Sequence, residues 1–447
     1  MEYRKLLAVS FLAAIIVGCD SGAVSTDSNA AIDSAAQAAA AGMSHGEYVA
    51  RLGNCVACHS TPEGDALAGG LKMAVPMLGV IYTTNITPDP VNGIGDYTFE
   101  DFDKAMRVGV AKDGHRLYPA MPYPSYAKMS EQDMVALYDF FMNEVEPSSQ
   151  ANIPSEIPGW KSPRWPLGIW NLLAHDDDPY EVVDSESEAW NRGAYLIQGL
   201  GHCGACHTPR GLLMQEKGLD DGDSSFLSGA PLDHWSASSL NGDINSGLGR
   251  WDEDDVVEFL ESGHNRFGTA FGTMVEVVNN STAHMSDDDL QAMAVYLKSL
   301  PAVIDESPAW QYESGDAEKL AALNFDEPGA QTYYEYCSNC HVTDGSGYYP
   351  YQPALAGNPV IMDPDPSSLI NITLNGSLRV IAEGGPDVND MPYFRQLLTD
   401  QEIADVLTYI RNSWGNRGSS ISVEDVTEVR TATDPSQNDD IYILRMK

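Results

Sequence analysis

The sequence of 447 residues predicts an all-α fold, built as three tandem helical domains joined by Pro-rich connectors. Three observations predict it: the pentapeptide Cys-x-x-Cys-His occurs three times, a short helical segment opening with Gly precedes each copy, and a well-capped helix follows each. Similarity at matched offsets is typical of repeated domains. We expect domains at 43–146, 188–302 and 322–416, called the first, second and third repeats, with connectors at 147–187 and 303–321.

The three pentapeptides carry the most information, because each adds a His directly to a pair of Cys. They read Cys55-Val-Ala-Cys58-His59, Cys203-Gly-Ala-Cys206-His207 and Cys337-Ser-Asn-Cys340-His341. Disulfide frameworks usually belong to short secreted chains, whereas these pairs lie far apart in a long one.

The helix after each pentapeptide begins with a hydroxyl residue and has a carboxylate three residues later, which is a capping box or its Asp variant. The pairs are Ser130 with Asp133, Ser286 with Asp289, and Thr399 with Glu402. Apolar residues then recur at helical spacing, and all three helices have an aromatic residue at the same register: Phe140, Tyr296 and Tyr409. We expect each opening glycine to pack closely against the aromatic residue of its own repeat. These glycines are Gly46, Gly193 and Gly329.

The charge balance excludes one class of partner. The chain has 25 Lys and Arg against 65 Asp and Glu, which gives a formal net charge of −40. A surface this acidic repels phosphate backbones, so no nucleic-acid partner is expected.

The N-terminus has the features of an export signal. Arg4 and Lys5 precede an apolar run at 6–17, which is too short to span a bilayer but suits the core of a signal peptide. The run ends at Cys19 in a pattern that resembles a bacterial lipobox, although Cys19 in an ordinary signal peptide is the alternative. We expect a signal peptide at 1–18, a lipidated flexible tether at 19–42, and a location on the periplasmic side of the inner membrane. After the third repeat, an acidic tail at 417–447 is expected to lie over a neighbouring domain.

Cys-x-x-Cys-His is the attachment signature of haem c, in which two thiols add to the vinyl groups and the His binds the iron. A thioredoxin-like site is an alternative, but it would need a βαβ context. A zinc site is another, but it would need a second ligand pair in the same domain. Three copies in matched contexts favour three covalently bound haem c groups, held by Cys55, Cys58, Cys203, Cys206, Cys337 and Cys340, with His59, His207 and His341 on the irons.

One Met before each capped helix is a candidate for the sixth iron ligand: Met121, Met274 and Met391. Each lies in a turn-rich stretch, and two of the three have a Pro beside them. The alternative is that Met fills a core, which we expect of Met106, Met129, Met285 and Met293, while Met73, Met77, Met214 and Met362 are weaker rivals. Ligation by His and Met leaves no open iron position, so the pattern indicates electron transfer and no catalytic residue.

Four runs extend this interpretation to a family: Tyr82-Thr-Thr-Asn-Ile-Thr-Pro-Asp89, Asn92-Gly-Ile-Gly95, Leu117-Tyr-Pro-Ala-Met-Pro-Tyr123 and Cys203-Gly-Ala-Cys-His-Thr-Pro-Arg210. They resemble the three-haem cytochrome c subunit of bacterial membrane-bound dehydrogenases, across about residues 43 to 430. The resemblance implies three class I cytochrome c domains and axial ligands at Met121, Met274 and Met391. It also implies a catalytic dehydrogenase subunit carrying flavin, pyrroloquinoline quinone or molybdopterin, and ubiquinone or a terminal oxidase as acceptor.

The leading hypothesis is therefore an electron-transfer subunit of a dehydrogenase complex that acts on alcohols, sugar acids or aldehydes. Two alternatives remain: a stand-alone lipid-anchored electron carrier, and a haem enzyme of peroxidase or thiosulfate-oxidising type. The last alternative requires an iron with an open or displaceable position.

Overall fold

Helices dominate the part of the chain that this computed structural model describes. That part comprises residues 34–75, 78–160, 163–232, 234–304, 308–377, 380 and 389–436. The expected signal peptide and Cys19 lie outside it. No helix within these ranges is long and apolar enough to cross a membrane.

The first repeat and the connector after it contain seven helices and one antiparallel ladder in their described residues. They are α1 (Ala35–Ala40), α2 (His45–Leu52), α3 (Cys55–His59), β1 (Lys72–Val75), β2 (Gly79–Tyr82), α4 (Phe99–Val108), α5 (Tyr123–Tyr126), α6 (Glu131–Asn143) and α7 (Pro166–Ala174). In the ladder, Lys72 pairs with Tyr82 and Val75 with Gly79.

The second repeat follows the same order and adds a short second ladder. Its elements are α8 (Glu188–Tyr195), a π-helical turn (Leu196–Leu200), α9 (Gly204–His207), β3 (Ala230–Leu232), β4 (Trp235–Ala237), α10 (Glu253–Ser262), β5 (His264–Asn265), β6 (Gly268–Thr269), α11 (Met274–Asn280), a 3-10 turn (Thr282–His284) and α12 (Asp287–Ser299). Strand β3 pairs antiparallel with β4, and β5 pairs with β6.

The third repeat, with the segments that flank it, is helical throughout its described residues. Its elements are α13 (Gly315–Ala321), α14 (Ala330–Thr332), a π-helical turn (Tyr333–Cys337), α15 (Ser338–His341), α16 (Pro359–Met362), α17 (Ser367–Asn375), α18 (Asp400–Asn412) and α19 (Val423–Ala432). The expectation of a purely helical chain therefore misses the three short ladders of the first two repeats.

Two helix crossings follow the predicted glycine contact. A Cβ added to Gly46 would lie 2.4 Å from the Phe140 Cβ, and one added to Gly193 would lie 2.7 Å from the Tyr296 Cβ. The third repeat differs, because Gly329 packs against the backbone of Asp405. The close crossing is kept there, but it lies one helical turn before the aromatic residue.

Four segments depart from the expected connectors and tails. Within the expected tether, the Ala-rich run 35–40 forms α1, because Ala favours helix and Ala38 is buried in the core. The connectors contain α7, which begins with Pro166 at its first position, and α13, whose Leu320 is buried in the core of the third repeat. The tail also forms a helix, α19, and it packs on α17 and α18 of its own repeat rather than over a neighbouring domain.

The buried side chains form two main clusters. One cluster is shared by the first and second repeats and includes Tyr48, Leu137, Tyr195 and Leu290. The other belongs to the third repeat. The first two repeats therefore bury a common core, whereas the third has its own.

A reciprocal polar contact joins the first two repeats. The Tyr48 hydroxyl, on α2, donates to Asp289 Oδ2 at 2.6 Å and accepts from the backbone N–H of Ser286 at 3.1 Å. The Tyr195 hydroxyl, on α8, makes the matching bonds to Asp133 at 2.6 Å and to the N–H of Ser130 at 3.1 Å. Each tyrosine thus lies between the two residues that were expected to close the capping box of the other repeat.

Each carboxylate in this contact also binds a cation-forming side chain of its own repeat. Asp289 accepts from Arg192 Nε at 2.7 Å and from its Nη2 at 2.8 Å, while Asp133 contacts His45 Nε2 at 2.6 Å. Ser34 Oγ donates to Asp133 Oδ2 at 2.7 Å and accepts from Arg192 Nη1 at 3.0 Å. We call these six side chains, Ser34, His45, Tyr48, Asp133, Arg192 and Asp289, together with Tyr195, the reciprocal lock.

Candidate haem-binding sites

The three histidines of the pentapeptides are oriented in the same way. His59 Nδ1 lies 2.7 Å from the carbonyl oxygen of Thr84, and His207 Nδ1 lies 2.7 Å from that of Ser238. His341 Nδ1 lies 3.0 Å from the carbonyl oxygen of Pro353. A carbonyl oxygen only accepts, so Nδ1 carries the proton in each ring and the lone pair is on Nε2. This second contact fixes the ring and presents Nε2 to a metal.

In the first two repeats, the acceptor of this bond comes directly after a hairpin. Thr84 lies two residues beyond the end of β2, and Ser238 directly follows β4. The sequence analysis missed these acceptors, because a backbone carbonyl has no residue signature. A turn between two short β-branched or apolar runs after the pentapeptide was the available signal.

The six cysteines beside these histidines are free thiols. Burial raises the pKa of Cys55, Cys203 and Cys337 to about 12, so these thiols are protonated at neutral pH. Burial and the nearby Glu276 also raise the pKa of Cys58, although part of its surface is exposed. This combination is expected of a thiol that lines the wall of a crevice.

These residues fit haem c better than the two alternative sites. Each pair of thiols is one helical turn apart, next to an imidazole whose Nε2 is available. No cluster of three or more His, Cys, Asp or Glu in the described ranges is arranged to bind a metal ion, which removes support for zinc. Helices flank the pentapeptides, so the βαβ context of a thioredoxin-like site is also missing from the described residues.

The candidate methionines pack on the same cores as the first cysteines. Met121 and Met274 contact the cluster that Cys55 and Cys203 also contact, and Met391 contacts the cluster of the third repeat together with Cys337. Met121 lies in a turn directly before α5, and Met274 is the first residue of α11. Met391 forms an isolated bridge with Ser377.

The rival methionines have other surroundings. Met106, Met129 and Met293 are buried in the shared core and Met285 packs on it, which confirms their expected packing role. Met362 is also buried, whereas 43% of Met214 is exposed and Met73 lies on β1. Met77 lies outside the described residues.

The first and second sites are neighbours. Helix α11, which begins with Met274, contacts α3, which contains the first pentapeptide. The carbonyl oxygen of Gly53, two residues before Cys55, accepts from the Tyr126 hydroxyl at 2.9 Å and from His202 Nε2 at 3.3 Å. His202 directly precedes Cys203, so it links the starts of the two pentapeptides, a role that the sequence did not reveal.

A second contact joins the hairpin of the second site to the third repeat. The Ser236 N–H donates to Ser368 Oγ at 2.8 Å, and Ser368 Oγ donates to the Ser236 carbonyl at 2.9 Å. Two residues after Ser236, the Ser238 carbonyl holds His207. Ser368 lies on α17, which ends just before the Ser377–Met391 bridge.

Comparison with known proteins agrees with this geometry. The cytochrome c family model matches residues 327–414. The cytochrome c subunit of gluconate 2-dehydrogenase from Pantoea cypripedii is 48% identical over 414 residues, which cover 91% of this chain and 94% of that protein. The chain belongs to the family of dehydrogenase cytochrome c subunits.

Two further relatives place this cytochrome c subunit among similar proteins with different substrates. The cytochrome c subunit of alcohol dehydrogenase (quinone) from Gluconacetobacter polyoxogenes is 48% identical over 398 residues, covering 87% of this chain and 84% of that protein. The cytochrome subunit of fructose dehydrogenase from Gluconobacter japonicus is 35% identical over 411 residues, with 87% and 82% covered.

Proposed function

We propose that the protein is the three-haem electron-transfer subunit of a periplasmic dehydrogenase complex at the bacterial inner membrane. Its catalytic partner oxidises an alcohol, a sugar acid or an aldehyde and carries flavin, pyrroloquinoline quinone or molybdopterin. Ubiquinone or a terminal oxidase is the acceptor. The relatives named above are subunits of such complexes, which supports this partner class.

The observation that carries the proposal is the threefold recurrence of one arrangement. In each repeat, a pair of free thiols lies next to a histidine whose Nδ1 is bonded to a backbone carbonyl. This recurrence supports three class I cytochrome c domains with the boundaries 43–146, 188–302 and 322–416, although the family model itself matches only the last of them.

The residues that would hold haem c are assigned as follows. Covalent attachment belongs to Cys55, Cys58, Cys203, Cys206, Cys337 and Cys340, and the axial positions belong to His59, His207, His341, Met121, Met274 and Met391. When bound, haem c supplies a reversible one-electron couple, which His and Met ligation places at a higher potential than ligation by two histidines. The carbonyl acceptors keep each imidazole in the tautomer that binds iron, and the apolar cores limit the access of water.

Counting haems tests the assignment. The pyridine haemochrome of the purified protein should give three haems per chain, and the double variant C337S/C340S should give two. Met362→Leu is the matched control, because this buried Met is assigned no ligand role, and it should keep all three. Two haems in the unaltered protein would contradict the threefold assignment.

Two measurements test the function and the anchor. A catalytic dehydrogenase subunit should co-purify from detergent-solubilised membranes, whereas a stand-alone carrier would be isolated alone. Carbon monoxide should leave the spectrum of the reduced protein unchanged, whereas a haem enzyme with an open iron would bind it. Cys19→Ser should release the cytochrome from membranes that lack the partner, since we assign the lipid anchor to Cys19.

A further inference from the structure

An exposed apolar surface covers the connector helix α7 and a turn of the second repeat. The exposed fractions are 79% for Trp160, 70% for Trp165, 82% for Leu172, 68% for Leu173 and 101% for Leu212. Ile169, Leu213 and Met214 are also exposed, at 51%, 51% and 43%. We call these eight side chains the apolar face. Helix α7 buries none of its residues, although five of its nine residues are Leu, Ile, Trp or Ala.

The apolar face is fixed to both repeats by hydrogen bonds. The Trp170 indole N–H donates to the Leu213 carbonyl at 2.8 Å, which joins α7 to the turn. The Tyr123 hydroxyl donates to Asn171 Oδ1 at 2.8 Å, and Asn171 Nδ2 donates to the Val108 carbonyl at 2.8 Å. The exposure of the leucines is therefore held in place by the fold.

The charge of this region is opposite in sign to that of the whole chain. The sequence from 157 to 175 contains no Asp or Glu, in a chain with 65 of them, and 208 to 215 contains none either. Arg164 and Arg210 lie in these stretches, and Arg164 donates from Nη1 to the Arg116 carbonyl at 2.7 Å. The exposed carboxylates of 176–178 mark where the region ends.

We propose that the apolar face rests on the surface of a lipid bilayer. Protruding leucines flanked by tryptophans and arginines are the pattern of interfacial membrane contact, in which apolar side chains enter the acyl region and indoles and cations stay near the headgroups. The absence of carboxylates from 157 to 175 removes the repulsion that anionic headgroups exert on the rest of this chain.

The length of α7 determines how it would lie. Nine residues rise about 14 Å, less than half of the roughly 30 Å hydrocarbon core, so α7 would lie in the plane of the interface. This contact is separate from a lipid on Cys19. A single acyl chain gives only marginal membrane binding, and a second contact makes it stable.

The position of the face matters for the proposed function, on which this consequence alone depends. The Arg164 guanidinium lies 4.3 Å from the centre of the Tyr118 ring, and Asn171 binds Tyr123. These two tyrosines flank the turn that contains Met121. Membrane contact would therefore turn the first proposed haem site toward the bilayer, where a quinone acceptor is dissolved.

Vesicle binding tests the proposal directly. The chain from residue 20 onward, exported behind a signal peptide that leaves no lipid and loaded with haem, is mixed with vesicles of phosphatidylcholine with or without phosphatidylglycerol. It should co-sediment with both. The variant L172S/L212S should bind about ten-fold less, because losing one buried leucine costs at least a factor of ten in an equilibrium constant. Binding to the anionic vesicles should rise with salt, as screening weakens the repulsion of distant carboxylates.

A matched variant and a second readout separate the possible outcomes. V91S/L397S removes apolar side chains that are 83% and 63% exposed elsewhere, and it should bind vesicles as the unaltered chain does. Equal binding by L172S/L212S and the unaltered chain would overturn the proposal. So would background binding of the unaltered chain combined with loss of the catalytic subunit from L172S/L212S, which would make the face a protein interface. The haem count reports on the proposed function independently.

Discussion

Replacing Asp289 by Asn should destabilise the protein considerably more than the matching replacement of Asp133. Both carboxylates belong to the reciprocal lock and both side chains are fully buried, but their cationic neighbours differ. Arg192 is 7% exposed and always charged, whereas His45 is 25% exposed and can release its proton. The two substitutions therefore change the same number of atoms and leave different charges behind.

The expected magnitudes follow from these contacts. Asp289→Asn leaves the Arg192 guanidinium buried without a counter-charge, and removing one partner of a buried ion pair costs about 3–5 kcal/mol. Asp133→Asn keeps an oxygen acceptor for the hydroxyls of Tyr195 and Ser34, so we expect a loss of about 1–2 kcal/mol. The difference between the two variants should thus be about 2–3 kcal/mol.

Urea unfolding of the oxidised, haem-loaded protein measures both losses. Far-ultraviolet circular dichroism and the Soret band give the transition, and linear extrapolation gives the free energy of unfolding. Asp139→Asn, on the exposed side of α6, is the surface control and should stay within about 0.5 kcal/mol of the unaltered protein. Equal losses for Asp289→Asn and Asp133→Asn would refute the reasoning, because the buried charge would then contribute nothing.

Three other perturbations test separate features. Gly193→Ala would place a Cβ 2.0 Å from the Ala292 carbonyl oxygen and should lower the melting temperature strongly, whereas Gly315→Ala, which meets nothing within 4 Å, should leave it unchanged or raise it. Burial raises the pKa of Asp363 to about 6 from 3.8, so its stabilising effect is complete below pH 4 and is lost as the pH rises through 6. Relative to the unaltered protein, the variant Asp363→Asn should therefore gain about 3 kcal/mol in unfolding free energy from pH 4 to pH 7. Met391→His should lower one of the haem potentials in a redox titration, because imidazole stabilises ferric iron better than a thioether does.

Each of these results has a clear contradiction. Similar melting temperatures for both glycine variants would mean that the helix crossing adapts without cost. A pH dependence of stability that Asp363→Asn leaves unaltered would place the responsible group elsewhere. A full set of unchanged potentials after Met391→His would remove this Met from the axial position.

The sequence predicted the local structure of the helix starts better than their long-range contacts. The hydroxyls of Ser130 and Ser286 do accept from the N–H groups three residues later, as the capping pattern predicts. The carboxylates of Asp133 and Asp289 bind a tyrosine of the other repeat instead of closing the box. Capping is a local interaction that spacing reveals, whereas the inserted tyrosine depends on how two distant segments dock.

The same limit explains the short elements that were missed. Residues 35–40 have no apolar periodicity, so the tether interpretation followed from pattern alone, yet alanine propensity and the burial of Ala38 produce a helix. The ladder of β3 and β4 has only three residues a side, too few for a period-two pattern to be recognised. The pentapeptides, in contrast, carry their chemistry in residue identity, so they could be located without the fold.

The reciprocal lock also makes the first two repeats a single unit of inheritance and of synthesis. Tyr48 and Asp289 are 241 residues apart along the chain, so the first repeat completes its polar contacts only after most of the second has been made. A chain that stops between the two repeats would keep α6 without its inserted hydroxyl and the shared core without half of its side chains. Exchange of repeats between relatives would therefore succeed with the first two moved together, whereas the third, with its separate core, could be replaced alone.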